Sequence, residues 1–169
     1  MIAKTNSASL LGIDAHPVDV EVDVSIGLST FNIVGLPDGT IKESRDRVTA
    51  AVTNSGFNFP VRRIVVNLAP AALRKIGSGF DLPIALALLG ALRYFPEQVL
   101  EKVMVVGELP HDGAIRSIRG ILPVAVAARD HGFEHLILPK ANEPEAAVVE
   151  EVRRVPVSTL DEVERYLQG

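Results

Sequence analysis

Between Arg74 and Asp81 the chain reads RKIGSGFD, placing a serine, two cations and a carboxylate within eight residues. A serine beside a lysine can act as nucleophile and base, provided the lysine is desolvated enough to lose its proton near neutral pH. Lys75 stands next to Arg74 in a polar loop with no evident apolar pocket, which argues against a Ser78–Lys75 dyad. Asp81 has two readings. It is either a buried catalytic carboxylate at the mouth of the Gly77–Ser78–Gly79 loop, or the N-cap of the apolar helix that follows. In the second, its side chain accepts the Ile84 N–H while Pro83 removes a donor, and the preference of Asp for N-caps favours it.

The run Ile64–Val65–Val66 before this loop gives the order strand, glycine loop, helix, an order that often cradles phosphate. The Gly-Lys-Ser/Thr ending of a P-loop is missing, no Gly-Lys dipeptide occurs anywhere, and a carboxylate at a helix start repels phosphate. Metal chemistry is equally poorly served. There is no cysteine, and His131 and His135 are separated by Gly132, a helix stop, so these two do not share a helical face. His16 and His111 add no third ligand to either.

Charge is the remaining chemical signal. The chain carries a net −4, yet residues 40–80 hold seven basic side chains against Glu43 and Asp46, a balance of +5. Arg62, Arg63, Arg74 and Lys75 are the first candidates for contact with nucleic-acid phosphates or an acidic partner surface. Arg45 and Arg47 belong to the same block. The alternative is a solvated surface with local pairs such as Glu43 with Arg47 at i,i+4. Composition alone leaves both open.

The elements that must position these groups follow from periodicity. Strict alternation in Val18–Val24 predicts a half-buried strand, with strands at Ser7–Ile13 and Phe31–Val34 expected to pair with it in an antiparallel sheet. A helix is expected over Thr40–Ser55, stopped by Gly56, then a strand near Arg62–Leu68 and a helix over Leu82–Tyr94. Strands at Val103–Val106, Leu136–Leu138 and Arg154–Val157 alternate with helices at Leu122–His131, Glu143–Glu150 and Leu160–Leu167, the last capped by Ser158 or Thr159. With 169 residues, 47% of them hydrophobic, the expectation is a single α+β domain of two layers spanning 1–169. Lack of cysteine, of a signal peptide and of any apolar run of membrane-spanning length leads us to expect a soluble, cytoplasmic protein with no membrane partner.

Four segments, VGLPDGTIKESRDRVTAAVTNSGFNFP (34–60), RRIVVNLAPAALRKIGSGFDLPIAL (62–86), VGELPHDGAIRSIRGILPVAVAAR (106–129) and LILPKANEPEAAVV (136–149), resemble the amino-terminal domain of the competence-related, magnesium-chelatase-like ATPase family, the ComM/YifB type. The resemblance implies the fold of the Lon proteolytic domain, of the ribosomal small-subunit domain-2-like class. Matching Gly79–Pro83 to the Lon nucleophile loop puts Asp81 where the serine would be. Following Gly107–Glu108 to Arg119–Leu122 puts Leu122 or a near neighbour at the lysine base. Both dyad positions are therefore replaced, which implies a scaffold without peptidase chemistry. Family membership further implies a following AAA+ ATPase module, to which ATP and Mg²⁺ would belong, and no cofactor in this chain. The expected role is that of a non-catalytic accessory domain. Its partners would be its own ATPase module, neighbouring ring subunits and single-stranded or branched DNA. The competing expectations are an interaction or oligomerisation module without DNA contact, and a residual peptidase acting through Asp81 or Ser78.

Overall fold

The computed structural model describes residues 1–169, and all seven strands join one mixed sheet in the order β3-β4-β2-β1-β5-β6-β7. Strands β1 (Ile2–Leu11) and β2 (Asp14–Ser25) form a long antiparallel hairpin turned at Gly12–Ile13. Val18, Val20, Val22 and Val24 face the core while Asp19, Glu21 and Asp23 face away, as strict alternation requires.

The expected pairing of Phe31–Val34 with β2 does not occur. Strand β3 (Thr30–Val34) lies parallel to β4 (Arg63–Ala69), and β4 inserts between β3 and β2, antiparallel to β2. The physical reason is burial. Ile64, Val66 and Leu68 of β4 are wholly buried and need a neighbour on both sides, whereas β3 tucks in only Phe31 and Ile33 and serves as an edge. The crossover from β3 to β4 runs through the short helix α1 (Gly39–Lys42) and then α2 (Ser44–Asn54), which lays Val48, Ala51 and Val52 on the core.

Helix α3 (Asp81–Ala91) is buried along its whole length, in keeping with its apolar composition on every face. Strands β5 (Val103–Val105), β6 (His135–Pro139) and β7 (Arg153–Val157) continue the sheet in parallel, joined through α4 (Ile121–Asp130) and α5 (Glu143–Ala146). Helix α6 (Leu160–Gln168) ends the chain, capped by Thr159, whose hydroxyl accepts the Glu162 N–H at 3.3 Å.

The two-layer expectation needs correction in this half. Val103, Val105 and Ile137 join the core with α3 and α6, while Met104, Leu136 and Leu138 point the other way into a second cluster with α4 and α5. These strands are apolar on both faces and therefore carry helices on both, making three layers; α4 also reaches the start of β2 at Ala15, whereas the outer face of β3, β4 and the Asp19–Asp23 stretch of β2 stays open. No helix is long and apolar enough to cross a membrane.

Candidate functional site

The glycine loop hangs between β4 and α3, and the side chains of Lys75, Ser78 and Asp81 around it are already engaged. Asp81 is not the helix cap. Phe80 occupies that position, the Ile84 N–H bonds to the Phe80 carbonyl at 3.0 Å, and the Leu82 N–H is taken by the Gly107 carbonyl at 3.0 Å. A backbone carbonyl from the segment after β5 thus replaces the side-chain cap, leaving the carboxylate free to turn inward.

Inside, Asp81 is completely buried and receives four hydrogen bonds. Arg47 approaches as a fork, Nε to Oδ2 at 2.7 Å and Nη2 to Oδ1 at 3.1 Å. The Ser44 hydroxyl donates a short bond to Oδ1, and the Leu109 N–H donates to Oδ2 at 3.0 Å. Burial pushes the Asp81 carboxyl above the ordinary aspartate range, against the opposing pull of Arg47, Ser44 and the Leu109 amide. The hydrogen bond to Asp81 in turn raises the Arg47 guanidinium. Arg47 also donates to the Thr40 carbonyl at 2.7 Å and sits 3.6 Å from Glu43, the i,i+4 pair expected from the sequence. With its lone pairs filled, the carboxylate has no open position for a substrate atom.

Lys75 is likewise misplaced by the surface-patch expectation. It is fully buried, and its ammonium donates to the Gly35 carbonyl at 2.7 Å and, by a short bond, to the Pro70 carbonyl. No carboxylate faces it, and burial pulls its pKa down. It staples the turn after β3 to the turn after β4. Gly35 is required there: its φ is +105°, and any Cβ would meet the Leu68 carbonyl oxygen at 2.0 Å. Ser78 bonds not to Lys75 but to Glu108, its hydroxyl donating to Oε2 at 2.7 Å.

The hub of the site is therefore Gly107–Leu109. It holds Gly79, Leu82, Ser78 and Asp81 through the Gly107 N–H and carbonyl, the Glu108 carboxylate and the Leu109 N–H. Ser44 and Leu109 are not marked by residue type, because a serine within a helical run and a backbone amide carry no chemical flag of their own, and Glu108 is marked only by the Gly107–Glu108 segment of the family resemblance. The only sequence hint was the run Val106–Pro110, set between an apolar strand and a turn.

A cleft of about 490 Å³ lies beside the loop, lined by Leu10, Phe80, Ile118 and Val124, with Glu108 and Arg119 as its charged groups. Leu122 is not in it. That residue opens on a separate hollow with Asp14 and His16, so the α4 residue facing Ser78 and Gly79 across the cleft is Val124. The structure does not bring Asp81 and Leu122 into one site.

The basic block also divides. Arg62 and Arg63 are exposed at the start of β4, Arg74 is exposed beyond its end, and β4 alone separates the two ends by about 20 Å. Lys75 and Arg47 are turned inside. No group of three or more His, Asp or Glu side chains is assembled to hold a metal, and His131 instead turns its Nδ1 to the Ala127 carbonyl at 2.9 Å.

Over residues 20–142 the chain matches the family described as subunit ChlI of Mg-chelatase. It is 40% identical over 164 residues to the uncharacterized protein YifB of Escherichia coli K12, an alignment that covers 97% of this chain and 32% of that protein. It is 39% identical over 168 residues to the competence protein ComM of Haemophilus influenzae, covering 99% and 33%. Lon protease 2 of Thermus thermophilus is 30% identical over 135 residues, covering 76% of this chain and 16% of the protease. The chain spans about a third of the length of YifB and ComM.

Proposed function

The chain belongs to the family of subunit ChlI of Mg-chelatase, and from that premise we propose that it is a non-catalytic accessory domain of a ring-forming, cytoplasmic AAA+ ATPase that aids subunit assembly and guides DNA. In this reading the fold is that of a Lon proteolytic domain whose reaction centre has been converted to structure. The observation that carries it is the Asp81 cluster. At the position matched to the Lon nucleophile stands a buried carboxylate locked by Ser44, Arg47 and the Leu109 amide, with no vacant lone pair and no base beside it. ATP and Mg²⁺ are assigned to the ATPase module, outside this chain.

Within this reading the exposed arginines of the block and Arg119 divide the labour. Arg74, exposed beside the glycine loop, and Arg119, on the rim of the same cleft, are the phosphate contacts, while Arg62 and Arg63 serve assembly. Phosphate contacts weaken steeply with salt and ignore sequence. The test is fluorescence anisotropy of single-stranded and forked DNA across a salt series. Arg74→Glu with Arg119→Glu is expected to weaken binding at low salt and flatten the salt slope. Unchanged affinity would remove the DNA assignment and leave the assembly reading, which the aliphatic side chains exposed beside Arg62 and Arg63 support independently.

A further inference from the structure

Two surface patches of matching chemistry stand at opposite ends of β2. At one end the loops before β3 and before β4 raise Ile26, Leu28 and Val61 into solvent, 88%, 84% and 83% exposed. They form one tip: Ser25 and Thr30 both lie opposite Arg63 in the sheet register, and a Cβ on Gly27 would sit 3.4 Å from that of Arg63. Arg62 and Arg63 flank the aliphatics, and neither takes part in an ion pair. No acid interrupts either loop.

At the other end the β1–β2 turn presents Ile13, 87% exposed, beside a hollow of about 440 Å³. Leu122 and Val126 supply much of its apolar lining, Asp14 and Asp130 its carboxylates, and His16 and His131 its imidazoles. Arg129 lies 2.9 Å from Asp130, while Asp14 has no cationic partner. The twelve residues of β2 hold the tip and the hollow about 36 Å apart.

We propose that the tip of one copy of this chain seats in the hollow of the next, with Ile26, Leu28 and Val61 against Ile13, Leu122 and Val126, and Arg62 and Arg63 facing Asp14 and Asp130. The inference rests on the assembly half of the proposed function and names its two surfaces. One chain carries both halves of the complement, aliphatic with basic and aliphatic with acidic. A polyanion would satisfy the arginines but leave three aliphatics in water and the hollow without a role. Because the two surfaces differ and face opposite ends, the contact is heterologous. However many copies join, the row keeps one free tip at one end and one free hollow at the other, so association continues into an open chain or closes into a ring rather than stopping at a two-fold dimer.

The chain has no cysteine, so introduced ones report alone. Ile13→Cys and Leu28→Cys alter exposed side chains, and thermal melting controls for their fold. On mild oxidation the two variants mixed are expected to give a disulfide-linked dimer, each alone to remain monomeric, and a chain carrying both to give a ladder. Adding Arg62→Glu and Arg63→Glu to the Leu28→Cys chain should cut the mixed dimer at least about tenfold, and Asp14→Arg with Asp130→Arg on the other chain should restore it. Equal dimer from either variant alone, or no mixed dimer at all, overturns the proposal. Sedimentation of the unmodified chain as an oligomer alongside a failed cross-link would leave assembly standing through another face. The Arg74 and Arg119 anisotropy series reads the DNA half separately.

Discussion

The two ends of β4 treat charge in opposite ways. Beyond its C-terminal end, the residues that look most chemical, Asp81, Lys75 and Ser78, are turned inward or paired, and each holds the glycine loop to a neighbouring segment. At its N-terminal end, unremarkable residue types, Val61, Arg62 and Arg63 with Ile26 and Leu28 beside them, are left in water without partners. The lesson is that residue type marks what a side chain can do, while desolvation decides whether it is available to do it. A carboxylate with four donors is a structural element. An arginine with none is a binding surface in waiting.

That contrast can be broken most forcefully at Asp81. Asp81→Ala strands the Arg47 guanidinium and the Ser44 hydroxyl, and is expected to destabilise the fold by about 4 kcal/mol in urea unfolding. The same residue gives a pH signature. Its folded pKa is raised, so the folded protein keeps a proton that the unfolded chain has already released. Stability should therefore fall as pH rises from the ordinary aspartate range through the raised value, and Asp81→Ala should remove that slope. A Lys75→Met change leaves the Gly35 and Pro70 carbonyls unsatisfied and is expected to cost about 2 kcal/mol. Burial lowers the folded pKa of Lys75, so its contribution runs with the opposite sign, stability rising with pH between the lowered value and that of a free lysine. Removing the Ser78 hydroxyl from the half-buried Glu108 should cost about 1 kcal/mol. At the other end, Leu28→Ser is expected to change stability by less than about 0.5 kcal/mol, since nothing packs on that side chain. Its effect should appear only in the sedimentation profile. A large stability loss at Leu28, or none at Asp81, would collapse the distinction between the two ends.

Much of the fold was legible because it rests on local periodicity. The alternation in β2, the helical spacing that buries Val48, Ala51 and Val52, and the Thr159 cap are all written in neighbouring residues. Strand order was not: nothing in Phe31–Val34 says that β4 must slip between it and β2, since that choice depends on how strands distant in sequence share burial. The second helical layer over β5 and β6 was hidden for the same reason. Their unbroken apolar runs do say that both faces are covered, but not by which helices.

For the site, the chain's residue types established which groups exist: a carboxylate after the glycine loop, no thiol, no P-loop motif, and a cluster of cations in residues 40–80. Their surroundings in the folded chain settle what each of them does. Asp81 met Ser44, Arg47 and the Leu109 amide across 37, 34 and 28 residues of chain, and Lys75 met Gly35 across 40. Desolvation and hydrogen-bond completion are properties of what surrounds a group in space, and a linear sequence records only what precedes and follows it.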